Sequence, residues 1–515
     1  MLGPARVEGP PVKSRSPIQL IHSFLDGGQR EARLFVTLAV LLVLVRAATF
    51  ALVEGIVFNS DEALYGLMAK HLSEFRTFPL FSYGENYQLA VEAWITAPFF
   101  WIFRPSVVVM KIPLVILNVA VAVMLMRTVC AALHLRPAFG FLAALPFIMP
   151  TPVVAGSLMT NSGSATEPLL YIPLLWLLRR RPFAFGALLM FGFLHREFTI
   201  YAVPAILLAG GLEESWWTAA AAARVAWTVV GSAVTWTVID QLKLYLVGSS
   251  ALEQAEMLAG HTCWRPAELP ARLGYVITSV LPVFASASRM SLHAFAFRNL
   301  AVAGGFTLVG WVMGATMVLM LARLAWTWRR GDGRVAYALY LAIVGCLALA
   351  AYPLSCNLAF GLPPVLRYLH LALFLPIGCF AAFIAREPSR YLRTVAIGAF
   401  LLWGGVNLVD NLHVMRVAYV TPDPDPHREL TDFLLSHQIR YARANFWDAY
   451  IVDFLSRERV IVDSNGPVRI PDYKRLVDEF SYEAVRIVRM PCAGDLYVSD
   501  FCIQLPAGRP TVGPR

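Results

Sequence analysis

The chain has 515 residues, of which 58% are hydrophobic and only 15% are charged, and its mean hydropathy is +0.60. Soluble globular proteins carry about 25% charged residues, so the composition excludes a chain whose main solvent is water. The net charge is +9, but the basic residues gather at the ends of apolar segments rather than along one continuous face. This placement argues against nucleic-acid binding and is typical of signals that orient a membrane protein.

Apolar segments long enough to cross a membrane recur from residue 34 onwards. A helix needs roughly 20 apolar residues to cross ~30 Å of hydrocarbon. The sequence predicts eleven spans, at residues 34–53, 107–127, 137–156, 166–178, 182–195, 198–211, 224–247, 301–322, 335–353, 367–385 and 394–413. The apolar stretch Ala90–Phe103 is shorter, and we predict that it lies at the outer membrane surface.

The basic residues in the loops indicate the orientation of these spans. With a cytoplasmic N-terminal segment, 1–33, the predicted inner segments carry 18 Lys and Arg, and the three short outer segments carry two. The longer outer loops 54–106 and 248–300 add three and four. Because cytoplasmic loops are enriched in Lys and Arg, this asymmetry predicts that the loop 54–106 lies outside the cytoplasm.

The composition changes after residue 413, where the membrane region 34–413 is predicted to end. A proline-rich linker, Thr421–Pro426, leads into alternating helical and strand-like patterns, so residues 414–515 are predicted to form a small extracytoplasmic α/β domain. An odd number of spans places this domain outside, in a compartment that permits disulfides. Cys492 and Cys502, close in sequence, are the first candidates for such a pair.

Asp61 and Glu62 are the first candidates for chemistry, because they follow the first span directly. Either Asn59 or Ser60 could cap a helix there, and acidic residues in its first turn would then only stabilise the helix dipole. The alternative is that Asp61 is held at the membrane surface as a general base or a cation ligand.

Glu167, which precedes Pro168, is a second acidic candidate at the same predicted membrane face. It could belong to a helix start, for which Pro168 is suited. Alternatively, Glu167 and Asp61 could share a divalent cation or divide the roles of acid and base between them.

Two arginines are predicted at the outer ends of spans, where a buried cation needs an anionic partner. Arg196, next to His195, could pair with a neighbouring acid such as Glu197, and Arg367 precedes Tyr368. Both arginines could instead bind the phosphate of a membrane lipid, and His195 and Tyr368 beside them are further candidates for substrate binding. Glu85 and Glu92, which flank the start of the predicted surface helix, are weaker candidates for substrate binding.

The sequence shows no nucleotide-binding or hydrolase motif in a suitable context. An enzyme that faces outward has no ATP or sugar nucleotide available, so the energy for a transfer reaction must arrive in a lipid-linked donor.

The order of these motifs resembles that of the GT-C superfamily of integral-membrane glycosyltransferases, near the bacterial lipid A aminoarabinose transferases and protein O-mannosyltransferases. Their Pro-Asp-Glu-x-x-Tyr run is matched by Ser60–Tyr65, their Asp-Pro by Glu167-Pro168, and their Lys-Gly by Arg196-Glu197. A Glu-Lys-Pro motif of the first loop has no clear match, so the sugar and the acceptor do not carry over.

The resemblance implies an all-α, GT-C-like enzyme of about eleven transmembrane helices in the bacterial inner membrane. It would move a sugar from a polyprenyl-phosphate donor to a lipid, glycan or protein acceptor, with Asp61 as base, Glu62 beside it and phosphate at Arg196. Two other classes stay open: a transporter or lipid flippase, which would use similar buried charges, and a non-catalytic component of envelope assembly.

Overall fold

The computed structural model describes residues 29–161, 166–210, 218–247, 265–285, 307–326, 333–356, 358, 365–422 and 424–506. Most of the predicted N-terminal segment 1–33 and of the loop 248–300 lies outside these residues. The helices up to residue 420 are, in chain order, α1 (Gln29–Leu52), α2 (Ser60–Ser73), α3 (Val91–Ile102), α4 (Val107–Leu133), α5 (Pro137–Ile148), α6 (Pro152–Ser157), α7 (Glu167–Leu178), α8 (Pro182–His195), α9 (Ala202–Gly210), α10 (Ala219–Val247), α11 (Leu269–Tyr275), α12 (Leu281–Ala285), α13 (Leu308–Trp326), α14 (Ala336–Ala351), α15 (Phe374–Arg386) and α16 (Arg390–Val420).

Six of the described helices are long and apolar enough to cross a membrane, namely α1, α4, α10, α13, α14 (with the 3₁₀ turns at its two ends) and α16. The apolar helices α5, α7, α8, α9 and α15 are shorter and coincide with the remaining predicted spans. The predicted polytopic α-helical membrane protein is therefore confirmed. Helices of 12 to 14 residues, such as α5, α7 and α8, reach only ~18–21 Å at about 1.5 Å per residue, less than the ~30 Å of hydrocarbon in a membrane.

Close helix packing in this region depends on small residues. A Cβ atom at Gly186 in α8 would overlap the backbone of Thr228 in α10, and one at Gly231 in α10 would overlap the backbone of Phe183. Since lipid tails are as apolar as leucine, membrane helices associate through such close approaches rather than through the hydrophobic effect. The glycines thus hold α8, which carries His195 at its end, in a fixed position.

The loop after α1 is folded and packs against the start of α4. It contains α2, a short antiparallel hairpin of β1 (Phe81–Ser82) and β2 (Glu85–Leu89), and then α3, which corresponds to the predicted surface helix. Residues of α2, α3 and the start of α4 share one apolar core. The same core includes Tyr450 and Phe454, so the loop and the C-terminal part of the chain pack together.

The C-terminal domain is an α/β unit built on a five-stranded mixed sheet of strand order β4-β3-β5-β7-β6. Its elements are α17 (Pro426–Ser436), β3 (Tyr441–Ala444), α18 (Phe446–Leu455), β4 (Ile461–Ser464), α19 (Pro471–Glu479), β5 (Val485–Arg489), β6 (Leu496–Val498) and β7 (Phe501–Gln504). The predicted alternation is present, with strand patterns at 440–446 and 459–463 that correspond to β3 and β4, whereas the sequence patterns did not indicate β5, β6 and β7. A disulfide joins Cys492, after β5, to Cys502 in β7.

The C-terminal domain sits directly on the folded loop. The ring of Phe454 in α18 packs on α2 where Gly66 leaves room, because a Cβ atom at Gly66 would overlap that ring. Ser60 Oγ donates a hydrogen bond of 2.5 Å to the carbonyl oxygen of Phe446. These contacts hold the domain over the start of α2, beside Asp61.

Candidate active site

A cavity of about 170 Å³ lies where the folded loop, the ends of membrane helices and the C-terminal domain meet. Its walls are formed by Asp61, Leu64, Tyr65, Ser82, Glu85, Tyr87, Gln88, Arg196, Arg367, Tyr368 and Arg469. Five of the residues predicted from the sequence are therefore together in one place: Asp61, Glu85, Arg196, Arg367 and Tyr368. We refer to this space as the arginine cavity.

Asp61 lies in the first turn of α2, as the sequence predicted, and its side chain lines the arginine cavity. The cap of α2 is Asn59, whose side-chain oxygen accepts the backbone N–H of Glu62 at 3.1 Å. Arg367 Nη1 lies 3.4 Å from Asp61 Oδ2, and about a quarter of the Asp61 side chain is exposed. The guanidinium of Arg367 also lies 5.4 Å from the ring centre of Tyr368. Asp61 is thus an accessible carboxylate next to a guanidinium.

The walls of the arginine cavity combine positive charge with polar aromatic surface. Three arginines and two carboxylates give the lining a formal charge of +1. Tyr65 contributes a phenolic oxygen that accepts a hydrogen bond of 2.7 Å from Gln88 Nε2. Guanidinium groups bind phosphate through paired, charge-assisted hydrogen bonds, so the arginines of this lining are groups that can bind an anion.

Glu62 points away from the cavity and is fully buried. Its Oε1 accepts hydrogen bonds from Lys111 in α4 and from the backbone N–H of Asn161, while Lys111 also donates to the carbonyl of Met159 at 2.8 Å. These contacts join α2 to α4 and to the segment that follows α6. A catalytic role for Glu62 stays a prediction, since its contacts are those of a structural carboxylate.

Glu92 and His195 are brought together, but behind the cavity wall. His195 Nε2 lies 3.1 Å from Glu92 Oε2, and its Nδ1 lies 2.9 Å from the hydroxyl of Tyr171. Glu167 begins α7 and is buried near this pair, with Oε2 accepting the backbone N–H of Thr166 at 3.3 Å. None of Glu92, His195 and Glu167 lines the described cavity. Their predicted roles in catalysis and substrate binding stay predictions.

The predicted divalent cation finds no cluster of ligands in the part of the chain that the structure describes. No group of three or more His, Cys, Asp or Glu side chains is placed there to hold a metal ion. Asp61 is engaged with Arg367, and Glu167 with the backbone of Thr166. The shared cation of Asp61 and Glu167 therefore stays a prediction.

Several cavity residues were missed by the sequence analysis. Tyr65 belongs to the motif that contains Asp61 and Glu62, and Tyr87 and Gln88 belong to the same predicted outer loop, 54–106. Their proximity to Asp61 in sequence could have indicated them. Arg469 had no such signal, because it belongs to the C-terminal domain and reaches the cavity only when that domain is docked. Glu85, a weaker candidate, forms an ion pair of 2.5 Å with Arg469 Nη2.

A second polar cluster, away from the cavity, secures the docked domain. Glu458, in the turn after α18, accepts hydrogen bonds from His71 Nε2 at 2.9 Å, Arg76 Nη1 at 2.7 Å and the hydroxyl of Tyr473 at 2.7 Å, as well as from Lys70. The Glu458 side chain is only 9% exposed. Charge-assisted hydrogen bonds between poorly exposed side chains are among the stronger polar contacts. Glu458 therefore makes the main electrostatic contact between the domain and α2.

Replacing Glu458 with glutamine is expected to lower the melting temperature of the purified protein, with a loss of about 2 kcal/mol, as for a hydrogen bond between charged groups. Burial alone would raise the pKa of Glu458, but the hydrogen bonds and charges of His71, Lys70 and Arg76 hold it well below the usual value. Because the pKa of Glu458 is lower in the folded protein than in the unfolded chain, its ionised carboxylate stabilises the fold above the unfolded-state pKa of about 4.3. This stabilisation is lost as the pH falls through the folded-state pKa.

The check is the melting temperature of wild type, Glu458→Gln and the exposed control Glu479→Gln between pH 7 and pH 3.5. We expect the difference between Glu458→Gln and wild type to be constant down to about pH 5 and to shrink below about pH 4.3. A difference that grows as pH falls, or a control that behaves like Glu458→Gln, would contradict this account.

The fold of the chain is similar to solved structures of membrane enzymes, although no family model and no curated protein matches its sequence. ArnT from Cupriavidus metallidurans bound to undecaprenyl phosphate aligns over 89% of this chain and 92% of its own, with a TM-score of 0.53 and 11% identity. The Archaeoglobus fulgidus oligosaccharyltransferase in complex with Zn and sulfate aligns over 88% of this chain and 67% of its own, with a TM-score of 0.51 and 12% identity.

These similarities show that the chain is a polytopic membrane protein that shares the fold of these solved structures, in agreement with the fold predicted from the sequence. Within that class, it covers nearly the full length of ArnT in both the lipid-bound and the apo state. At 11–12% identity the similarity concerns the fold alone. The residues of the arginine cavity, rather than the fold, indicate what chemistry the chain can perform.

Proposed function

We propose that the chain is a membrane glycosyltransferase that moves a sugar from a polyprenyl-phosphate donor to an acceptor hydroxyl. The observation that carries the proposal is the arginine cavity, in which an accessible carboxylate, Asp61, stands beside two guanidiniums that come from the membrane region, those of Arg196 and Arg367. This arrangement matches the charges of a sugar phosphodiester and its acceptor, and the GT-C fold supports the same class of reaction.

The orientation of the chain is part of this proposal. The distribution of Lys and Arg favours a cytoplasmic N-terminus, so the arginine cavity and the C-terminal domain would face the extracytoplasmic side of a bacterial inner membrane. No nucleotide donor is available there. The ArnT structure contains undecaprenyl phosphate, and a lipid of that kind could reach the cavity from the hydrocarbon with its phosphate leading.

In the proposed reaction, the lipid chain lies between helices and its phosphate binds to Arg196 and Arg367. When the phosphate engages Arg367, the carboxylate of Asp61 is released from that contact and becomes the acceptor for a proton. The acceptor hydroxyl gives its proton to Asp61 as its oxygen forms a bond to the anomeric carbon. The bond from that carbon to the phosphate oxygen breaks, and the electron pair leaves with the lipid phosphate.

The two guanidiniums stabilise the leaving group in this scheme. A phosphodiester carries one negative charge and the released monoester carries up to two, so negative charge grows at the phosphate as the bond breaks. Fixed cations aimed at developing charge lower the barrier, because they need no reorganisation during the reaction. Arg196 and Arg367 are therefore proposed to bind the transition state more tightly than the donor.

The experiment is a transfer assay with the purified chain in lipid nanodiscs and a pool of radiolabelled undecaprenyl-phosphate sugars. Membrane extracts supply lipid, glycan and protein acceptors. The proposal expects label to move from the lipid phosphate to an acceptor with the wild-type chain but not with empty nanodiscs. In proteoliposomes, movement of the donor across the bilayer without transfer would favour a flippase. Absence of both would favour an assembly component.

A further inference from the structure

Arg469 enters the arginine cavity from the C-terminal domain and is held there by contacts with two parts of the chain. Its Nη1 donates to the carbonyl of Gly84 at 2.8 Å and its Nη2 to Glu85 at 2.5 Å, both in the hairpin β1–β2. Its backbone N–H donates to the hydroxyl of Tyr450 at 2.6 Å, and its guanidinium lies 5.8 Å from the ring centre of Phe446. The Arg469 side chain is therefore fixed in one orientation.

Domain docking does not depend on Arg469 alone. The Glu458 cluster and the packing of Phe454 on α2 already attach the domain to the loop. Arg469 adds a guanidinium to a cavity that also contains Arg196 and Arg367, and only 17% of its side chain is exposed. The C-terminal domain therefore contributes a cation to the wall of the cavity that contains Asp61.

The three arginines come from two parts of the chain. Arg196 and Arg367 belong to the membrane region, and Arg469 belongs to the C-terminal domain, yet all three line one cavity of about 170 Å³. Guanidinium groups are well suited to phosphate, because their planar fork can form paired hydrogen bonds with it. A phosphate-bearing group in this cavity could therefore be contacted by both parts of the chain.

We propose that Arg469 is a substrate-binding residue, through which the C-terminal domain contacts the phosphate-bearing head of the lipid-linked donor. The inference rests on the proposed function and deepens it, because it assigns the domain a direct part in donor recognition. Glu85 is the positioning residue in this arrangement, since it orients the guanidinium of Arg469 without needing to touch the donor. The site is complete only while the domain is docked on the hairpin β1–β2.

The test measures phosphate recognition separately from transfer. The full chain in nanodiscs is titrated with undecaprenyl phosphate and with undecaprenol, and the ratio of the two dissociation constants is compared between variants. Arg469→Ala is expected to reduce this preference for phosphate by about tenfold or more, the usual effect of losing a charge-assisted hydrogen bond. Arg469→Lys should keep part of it, because lysine retains the charge but loses the planar fork. The exposed control Arg475→Ala should keep all of it.

The outcomes separate a binding role from a structural one. If Arg469→Ala weakens the binding of phosphate and alcohol equally, Arg469 only attaches the domain and the proposal is overturned. A wild-type chain without preference for the phosphate, or an Arg469→Ala variant with the full preference, overturns it as well. An Arg469-dependent preference in a chain that transfers no sugar would support the binding role and count against the proposed function alone.

Discussion

Asp61→Asn is expected to reduce the rate of sugar transfer by about 10²–10⁴-fold, the contribution typical of a positioned general base. Asparagine has nearly the same shape as aspartate and can still contact Arg367, so the cavity should keep its form. What it loses is the capacity to take the proton of the acceptor hydroxyl. The rate is measured at saturating donor, so that the chemical step is compared rather than the affinity for the donor.

The matched control is Asp432→Asn, which changes an exposed aspartate of the C-terminal domain away from the cavity. Its transfer rate should equal that of wild type. Affinity for undecaprenyl phosphate should be at least that of wild type in Asp61→Asn, since the arginines that bind phosphate are unchanged and the carboxylate that competes for Arg367 is gone. Transfer by Asp61→Asn at the wild-type rate would remove Asp61 from the role of base.

The second large effect is expected for the buried pair formed by Glu62 and Lys111. Lys111→Met should lower the free energy of unfolding by about 3–5 kcal/mol, because it leaves the buried carboxylate of Glu62 without its cation. Both side chains are at most 1% exposed, so water cannot replace the lost partner. The measurement is unfolding in mixed micelles with increasing SDS, with exposed Lys474→Met as the control.

A double variant tests whether the pair itself is responsible. Glu62→Gln combined with Lys111→Met should be more stable than Lys111→Met alone, because the uncompensated charge is gone. If Lys111→Met is as stable as the Lys474→Met control, the pair has no structural role. A Glu62→Gln variant that is stable but inactive would instead support the catalytic role predicted for Glu62 from the sequence.

The membrane architecture could be predicted from the sequence because two properties of each segment determine it. Length and hydropathy of a segment decide whether it can cross the membrane, and both are local properties. The chain positions of Asp61 and Arg367 were also visible, since ionisable residues at the ends of spans are few. The sequence predicted only that both residues lie at the same face of the membrane. It could not predict their contact at 3.4 Å, because they are 306 residues apart in sequence and only folding brings them together.

The division of labour between Asp61 and Glu62 could not be predicted. Neighbouring residues on an α-helix point about 100° apart, since a turn contains about 3.6 residues. One of the two must therefore face away from any site on that side of α2. Which one does so depends on the position of Lys111, which lies in the next span and gives no local signal.

The contribution of the C-terminal domain was missed for a similar reason. Arg469 meets Glu85 across 384 residues of sequence, and no periodic pattern records such a contact. Strands β5 to β7 were missed because they have only three to five residues each and gain their stability from pairing with one another. Long apolar segments can be read from a sequence, whereas contacts between domains cannot.

The most direct test of the arginine cavity is an electron cryomicroscopy structure of the full chain in nanodiscs with undecaprenyl phosphate added. The account predicts density for the phosphate inside the cavity, within hydrogen-bond distance of Arg196 and Arg367 and beside Asp61, with the lipid chain leaving between membrane helices. An ordered lipid phosphate bound elsewhere on the protein, with the cavity closed to it by the contact between Asp61 and Arg367, would contradict the proposed donor site.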